Sequence, residues 1–403
     1  MSYMMGKRSC VLLLIIGVFI FFLYGIHRNV KHIQSAGEIE QLFAATNTIY
    51  TIDTIVNLND ARVYIPDSCE LHFLNGGGIY NGTIVGCNTR ITGRQSGIFN
   101  EIVIEGSWLV ENISTSMYVK IDENTLRNLS VMCSEKHHNC IKIEDNCLVP
   151  IIHFSSVFNI PSNTDVVLNA DIHTIPTKYK GGYALQVNGS NIHINGNGHK
   201  IIGTIEQDKS NNQQWQHGIF VTRNSSNVLI ENIKCTKFWG DGFYVMGNNI
   251  KIKGVESSYN GRQGLSLTHG HNILIEKSSF HHTGSIEICS CKGPGAGIDI
   301  EPNEGDTVKN IMVQDCNLYE NYKYMHGYTN DFQVYNAPYA AVTVRNCCLG
   351  GAYLGKMSHI LFDNCNITES LFGIDKAVSN VTIKKSRIPN ISQIKINNIT
   401  IEQ

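Results

Sequence analysis

Short runs in which apolar and polar residues alternate recur along most of this chain. In residues 261–280, GRQGLSLTHGHNILIEKSSF, two such runs are separated by a bend rich in glycine and histidine. Period-two alternation is typical of strands with one buried face, whereas the i, i+3, i+4 spacing of helices fits these runs poorly. The pattern therefore predicts many short β-strands joined by polar bends.

Eight segments that begin with an apolar residue after a polar one can be aligned. Their first apolar residues are separated by 36, 22, 23, 38, 31, 18 and 21 residues, which indicates a repeated unit with longer insertions in three intervals. A second short strand often follows a glycine within the unit. Such strands are unstable alone, but stacked coils can pair them in parallel and bury a continuous interior. The aligned residues are Ile192, Val228, Ile250, Ile273, Ile311, Val342, Ile360 and Val381.

Two columns of residues support the stacking of these units. Asparagine precedes the first apolar residue in six of the eight units, and it tolerates left-handed backbone and bonds to stacked amides. Those residues are Asn191, Asn227, Asn249, Asn272, Asn310 and Asn380. A second column contains Cys316, Cys347 and Cys365, with Ser278 and Ser386 in the same register. We interpret the cysteines as a stack of small buried side chains, with a disulfide among them as the alternative.

This repeat resembles the right-handed parallel β-helix of the pectin-lyase-like superfamily. Two segments, VYIPDSCELHFLNGGGIYNGTIVGCNTRI and ALQVNGSNIHINGNGHKIIGT, resemble opening coils of exported β-helix proteins of Bacteroidetes-type bacteria and of phage tail spikes. The resemblance implies an all-β solenoid, with N-terminal coils at 45–150 and the main β-helix at 151–403. By analogy with tail spikes, it also allows a homotrimer.

The N-terminus carries a hydrophobic segment. Lys7 and Arg8 precede an uncharged run at 10–26, which as a helix would be slightly shorter than the hydrocarbon core of a membrane. We interpret residues 1–9 as cytoplasmic, 10–26 as a signal anchor or signal peptide, and 27–44 as a linker. The rest is then expected in the cell envelope, facing outwards, or secreted. The formal net charge of −2 gives no basic field, so we expect no nucleic-acid partner.

The strands that follow glycine place polar and aromatic residues on the outside of the predicted coils. Aligned on their glycines, these strands alternate inward apolar residues with outward ones. Aromatic faces beside polar groups suit a sugar ligand. Trp215 and Trp239 lie on nearby bends and are expected to wall the groove. The residues expected to bind substrate are His217, Phe220, Tyr244, Gln263, Ser266, Thr268 and His269.

Two carboxylates form the centre of the predicted site. Asp299 and Glu301 alternate on one strand, so their spacing of ~6.6 Å is compatible with the ~6.5–9.5 Å between the carboxyl groups of inverting glycosidases. Both side chains point the same way, so Asp241 is the candidate for the opposite partner. Two adjacent carboxylates also repel each other, and such a pair needs a proton, a cation or a substrate.

These residues allow two kinds of enzyme. A hydrolase would use Asp299, Glu301 and Asp241 as acid and base. A lyase would use Arg262 or His269 as base or as clamp for a uronate carboxylate, with Ca²⁺ held by the two acids. We expect no metal or other cofactor apart from that ion, and the acidic cluster favours hydrolysis. The alternative function is a non-catalytic glycan-binding or structural surface fibre that uses the same face.

Overall fold

The computed structural model describes most of the chain beyond its N-terminal segment. The hydrophobic run at 10–26 lies outside the described residues. Among those residues, helices that are both long and apolar enough to cross a membrane are absent. The described ranges are 28–33, 42–134, 137–206, 214–284, 295–322, 329–372, 378–392 and 396–402.

A seven-stranded sheet forms the N-terminal part of the described chain. Its strand pairings are all parallel. Its strands are β1 (Asn29–Ile33), β2 (Thr48–Ile52), β3 (Ile55–Asn57), β4 (Arg62–Tyr64), β5 (Glu70–Phe73), β6 (Gly78–Gly93) and β7 (Phe99–Leu109).

Thirty further strands follow, mostly of two to seven residues. They are β8 (Ile113–Ser114), β9 (Asn139–Ile143), β10 (Cys147–Ile152), β11 (Ser155–Ser156), β12 (Asn159–Ile160), β13 (Thr164–Leu168), β14 (Ile172–Ile175), β15 (Gly181–Val187), β16 (Ser190–Asn195), β17 (Lys200–Ile202), β18 (Trp215–Val221), β19 (Ser226–Glu231), β20 (Lys234–Thr236), β21 (Phe243–Val245), β22 (Asn248–Lys253), β23 (Glu256–Ser258), β24 (Leu265–Leu267), β25 (Gly270–Glu276), β26 (Ser279–His281), β27 (Ile298–Ile300), β28 (Val308–Gln314), β29 (Asn317–Tyr319), β30 (Phe332–Val334), β31 (Ala337–Arg345), β32 (Cys348–Leu354), β33 (Met357–Asp363), β34 (Asn366–Phe372), β35 (Val378–Lys384), β36 (Ile391–Ser392) and β37 (Ile396–Glu402).

These strands stack into three parallel ladders, so the chain winds as a parallel β-helix. The first ladder contains β8, β9, β13, β16, β19, β22, β25, β28, β31, β33, β35 and β37. The second contains β10, which also pairs antiparallel with the short β11, then β14, β17, β20, β23, β26, β29 and the first residues of β32 and β34. The third contains β12, β15, β18, β21, β24, β27, β30, the last residues of β32 and β34, and β36.

The first ladder confirms the register predicted from the eight repeated segments. Ile192, the first of the aligned apolar residues, pairs with Val228, and Val228 pairs with Ile250. The column continues in register to Val381. All eight side chains are at most 2% exposed and form part of one continuous core.

The second ladder was not predicted, because the repeat suggested two strands per coil. Its strands are mostly three residues long, such as β20 and β23, with a single inward side chain each. That side chain is Cys235 in one coil and Ser257 in the next, and both are fully buried. A three-residue strand with a small central residue has no apolar alternation to detect.

Both predicted columns of small and polar residues are confirmed. The Asn272 amide donates to Asn249 Oδ1 at 3.0 Å and accepts from Asn310 Nδ2 at 3.1 Å, and all three residues have positive φ. The stacked cysteines are buried free thiols. The Cys347 thiol, for example, donates to the Arg345 carbonyl at 3.1 Å.

Helix α1 (Thr125–Met132) interrupts the repeat and packs on β7. Leu126, Leu129 and Met132 share one buried face. The buried Asn128 amide donates to the Ile102 carbonyl at 2.7 Å, and its oxygen accepts from the Ile104 N–H at 3.0 Å. The helix thereby supplies hydrogen bonds to backbone groups of β7 that a further strand would otherwise satisfy.

Candidate functional site

The candidate site lies on the outer side of the third ladder. Tyr244 pairs with Phe220 in the preceding coil and with Ser266 in the following one. Ser266 pairs in turn with Asp299, and Asp299 with Gln333. The predicted alignment of Phe220, Tyr244, Ser266 and Asp299 in one column is therefore confirmed, and residues distant in sequence become neighbours.

Glycines before these strands allow neighbouring coils to approach closely. A Cβ atom at Gly242 would lie 2.0 Å from Ser257 Oγ, and one at Gly264 would lie 2.5 Å from the Gly297 carbonyl oxygen. Both distances are too short for a side chain, which is why glycine marks the start of these strands.

Asp241 is a fully buried carboxylate with several donors around it. Its Oδ2 accepts from Ser266 Oγ at 2.9 Å, and its Oδ1 accepts from the Gln263 N–H at 3.1 Å. The Asp241 N–H points at His217 Nδ1, 2.9 Å away, and the same nitrogen lies 3.3 Å from Asp241 Oδ2. Burial tends to raise the Asp241 pKa, but the positive charge of Arg262, 3.8 Å away, the interaction with His217 and the hydrogen bond from the Gln263 N–H outweigh it and lower that pKa.

Asp299 and Glu301 form a hydrogen-bonded pair of acids beside Asp241. Asp299 is 2% exposed, and its two oxygens accept from Gln263 Nε2 at 3.1 Å and Gln333 Nε2 at 3.0 Å. Burial, followed by the negative charges of Glu301 and Asp241, raises the Asp299 pKa well above its usual range. Burial likewise raises the pKa of Glu301. The pair therefore retains a proton at a pH where Asp241 is ionised.

Arg262 lies between this acidic cluster and the surface. Its guanidinium carbon is 4.5 Å from the centre of the Trp215 ring, within the range of a cation–π contact. Trp215 is 43% exposed, the Arg262 side chain 15% and the Asp241 side chain 0%. The three groups form successive layers from solvent to the interior.

Aromatic rings from three coils stack next to the acids. His217 stacks on Tyr244 at a centroid distance of 5.1 Å and on Tyr183 at 5.9 Å. Tyr183 also stacks on Phe220 at 4.2 Å. The rings of Tyr183, Phe220 and Tyr244 are partly exposed and form an aromatic surface beside the cluster.

Several buried polar atoms around the acids have no hydrogen-bond partner among the described residues. They are Arg262 Nε and Nη1, Gln263 Oε1 and Thr268 Oγ1. Unpaired buried groups are costly and uncommon in folded proteins. Unpaired groups concentrated at one place are expected of a site in which a bound ligand completes the hydrogen bonds.

The structure corrects two expectations about the shape of this site. The outward polar side chains do not line an open groove, because Gln263, Ser266 and Thr268 are buried. Trp239 does not form a wall, since it is 1% exposed, whereas Trp215 does lie at the surface. The exposed part of the site is the aromatic surface, Glu301 and the Trp215 ring.

His269 lies at the edge of the candidate site. Its Nδ1 is 3.1 Å from Asp306 Oδ1, and Asp306 also forms an ion pair with Arg223. In the same turn, the Asn303 amide lies 3.4 Å from the Tyr244 hydroxyl. These contacts hold residues 302–307 against the end of the aromatic surface.

Two residues of the site, Tyr183 and Gln333, were missed from the sequence. Alignment on glycine could not find their strands, because the equivalent positions are Ala184 and Asp331. These two strands could have been found from the segments FQV at 332–334 and ALQV at 184–187, which lie at the expected spacing from the strands of neighbouring coils.

The family model described as right handed beta helix region matches residues 177–337. This region is a right-handed β-helix. The matched range includes every residue of the candidate site, and it confirms the β-helix resemblance seen in the sequence. No curated protein sequence matches this chain.

Solved structures with a similar fold include three phage tailspikes. The tailspike protein gp49 from Acinetobacter baumannii bacteriophage Fri1, a capsular polysaccharide depolymerase, is 12% identical with a TM-score of 0.45, over 72% of this chain and 57% of that one. The enzymatically active domain of bacteriophage CBA120 tailspike protein 2 is 11% identical with a TM-score of 0.38, over 68% and 41%. The Dettilon tailspike protein gp208 is 12% identical with a TM-score of 0.39, over 72% and 68%.

The similar part spans less than two thirds of the first two tailspikes. At this level of identity the likeness concerns the β-helix fold alone.

Proposed function

We propose that this protein hydrolyses glycosidic bonds of a polysaccharide at the cluster of Asp241, Asp299 and Glu301. Three neighbouring carboxyl groups with different surroundings carry the proposal: Arg262 lies 3.8 Å from Asp241, whereas Asp299 is buried against two amide groups. The pKa values of Asp299 and Glu301 are raised, whereas that of Asp241 is lowered. A proton donor beside an ionised carboxylate is what glycoside hydrolysis requires.

The partial exposure of Glu301 assigns the roles within the cluster. Glu301 is the accessible member of the protonated pair, so it delivers the proton to the glycosidic oxygen as the bond from that oxygen to the sugar carbon breaks. Water then adds to the sugar carbon, and its proton passes to Asp241. Trp215 and Arg262 cover Asp241, so the proposal requires the exposed Trp215 ring to move aside for the water while Arg262 stays beside the carboxylate.

The aromatic surface supports a carbohydrate substrate. Tyr183, Phe220 and Tyr244 offer exposed ring faces in adjacent coils, and the unpaired donors of Arg262 can bind sugar oxygens. Such a polymer is extracellular, so the proposal includes export to the cell envelope or beyond. A homotrimer remains part of the proposal by analogy alone.

The geometry favours hydrolysis over elimination. Both Asp299 oxygens already accept amide hydrogen bonds, from Gln263 and Gln333, which leaves few lone pairs for a cation. The alternative enzyme is a calcium-dependent lyase that uses Asp299 and Glu301.

A purely binding role is favoured by one observation, the near-complete burial of Asp299 and Asp241.

The test is incubation of the wild type and Glu301→Gln with a panel of neutral and acidic polysaccharides. Hydrolysis predicts new reducing ends without ultraviolet absorbance from an unsaturated uronate, and their loss in the variant. Absorbance that depends on Ca²⁺ would replace hydrolysis by elimination. Binding without any cleavage product would leave only the fibre or binding role.

A further inference from the structure

A second group of aromatic rings lies on the outer side of the second ladder. His281 pairs in register with Tyr319 of the next coil. Tyr259 and His282 directly follow the strands β23 and β26. This face is separate from the third ladder, which carries the acidic cluster.

The four rings pack against one another and leave two tyrosines exposed. His281 stacks on Tyr319 at 4.7 Å with an interplanar angle of 10°, and Tyr259 stacks on His282 at 4.9 Å with an angle of 27°. The imidazoles contact each other through Nδ1 atoms 2.8 Å apart. Tyr259 and Tyr319 are each 42% exposed, so each imidazole supports a tyrosine ring that faces solvent.

The backbone turns through a left-handed residue at this corner in four successive coils. Lys237, Tyr259, His282 and Glu320 have φ of 64°, 55°, 54° and 55°. Because the conformation recurs with different side chains, it belongs to the turn of the coil, and it places Tyr259 and His282 at equivalent positions of neighbouring coils.

Two hollows lie along this face, and the second of them borders the ring cluster at Tyr319. One has a volume of about 790 Å³ and includes Lys234, Glu256 and Ser279. The other has a volume of about 590 Å³ and includes Tyr319 and Glu320. Asn317 lines both, so the hollows meet beside Tyr319. Volumes of this size are typical of ligand sites.

The charges on this face are largely paired with one another. Lys234 forms an ion pair with Glu256 at 2.9 Å, and His282 Nε2 lies 2.7 Å from Glu320. Such a surface attracts neither polyanions nor polycations strongly. Exposed rings between polar hollows instead suit an uncharged chain of hydroxyl-bearing rings.

We propose that this face is a second, non-catalytic binding surface for a neutral polysaccharide, with Tyr259 and Tyr319 as its stacking platforms. The proposal rests on the proposed function in that both take a polysaccharide as partner. The two tyrosines are two coils apart, roughly 10 Å at ~4.8 Å per strand. A glycan lying across the two exposed rings would therefore contact both tyrosines and extend into the hollow beside Tyr319.

The test is affinity electrophoresis of the full chain in gels that contain dextran, galactomannan or xyloglucan. We expect at least one polymer to retard the wild type, and Tyr319→Ala or Tyr259→Ala to weaken its binding about tenfold. Tyr339→Ala is the matched control, because Tyr339 is 64% exposed but lies in the first ladder. Equal retardation of all variants by every polymer, or no retardation at all, overturns the proposal.

Two further measurements distinguish glycan binding at this surface from catalysis and from subunit assembly. Retardation of Asp299→Asn is measured in the same gels, because this variant alters the acidic cluster and leaves the second surface intact. Binding by this variant would support the second surface even if the proposed hydrolysis is not found. Light scattering gives the oligomeric state. A change of mass in the tyrosine variants, rather than of glycan binding, would show that the face joins subunits and would overturn the proposal.

Discussion

Gln333 donates a hydrogen bond to Asp299 from the following coil, with 3.0 Å between Nε2 and Oδ1. Gln263, from the preceding coil, donates to the other oxygen at 3.1 Å. Amides on both sides fix the plane of the Asp299 carboxyl group, although it is nearly inaccessible to solvent. Burial and the neighbouring negative charges, against the effect of the Gln263 amide, raise the Asp299 pKa, so Asp299 holds a proton together with Glu301, the more exposed acid of the pair.

Replacing Asp299 tests this arrangement. In Asp299→Asn the fold should persist, because the amide has the same shape, but the pair loses its shared proton. General acid catalysis contributes roughly 100- to 10,000-fold, so turnover should fall by at least about 100-fold. The measurement is the rate of reducing-end formation, with circular dichroism to check the fold.

Glu231→Gln is the control for this variant. Glu231 is also a partly buried, ion-paired acid, but it lies in the first ladder with His193 and Lys253. Its substitution should leave turnover unchanged. Equal activity of Asp299→Asn and Glu231→Gln would remove Asp299 from the mechanism.

Gln263 should set the pH range of activity. Its hydrogen bond lowers the pKa of Asp299, against the larger effect of burial. In Gln263→Leu that pKa should rise further, so the protonated pair persists to higher pH. The alkaline limb of the kcat/KM profile should therefore move upwards. Gln314→Leu, which removes a similar amide contact to Glu276 in the first ladder, should not move it.

A uniform loss of activity at every pH would contradict this assignment. Such a result would mean that Gln263 supports the fold of the site without affecting the protonation of Asp299.

The sequence predicted the parts of this protein that depend on local periodicity. The column from Phe220 to Asp299 followed from alternation and glycine spacing, because both are set by close contact between coils. The burial of Asp241 did not follow, since it depends on His217 from the preceding coil and on Arg262 and Ser266 from the following one. Nor did the contact of Arg262 with Trp215, because neither residue lies at a fixed position of the repeat.

The asparagine column should contribute measurably to stability. Asn272 has φ of 57° and bonds to Asn249 and Asn310. Asn272→Ala loses both hydrogen bonds and places Cβ of alanine in a left-handed conformation, a total of roughly 1–3 kcal/mol. Asn272→Gly should lose less, because glycine adopts this backbone freely. Urea unfolding of both variants measures the difference, and equal losses would show that backbone conformation is unimportant here.

The reactivity of each thiol should depend on whether it lies inside or outside the solenoid. The hydrogen bond with Cys316, followed by burial, raises the Cys347 pKa to about 12. Cys87 and Cys348 are exposed. Alkylation of the folded protein with iodoacetamide, followed by mass spectrometry, should modify Cys87 and Cys348 well before Cys347. Modification of all three at one rate would contradict the cysteine stack.

Asp331 should make the fold less stable as pH rises. Burial raises its pKa to about 6, although it accepts hydrogen bonds from the Gly350 N–H and from Asn321. Because the folded form binds this proton more tightly than the unfolded chain, the stabilisation is complete below about pH 4 and is lost as pH rises through about 6. The change amounts to roughly 3 kcal/mol for a shift of about two units.

Asp331→Asn removes this titration, since the amide stays neutral. Unfolding free energies of both proteins are measured with urea at several pH values from 4 to 7. The variant should become more stable relative to the wild type as pH rises. The titration of the other acids affects the stability of both proteins equally, so it cancels when the two unfolding free energies are subtracted. Only the interaction of Glu369 with the Asp331 charge does not cancel. Parallel pH curves for the two proteins would mean that Asp331 is already ionised at low pH, and that its hydrogen bonds outweigh its burial.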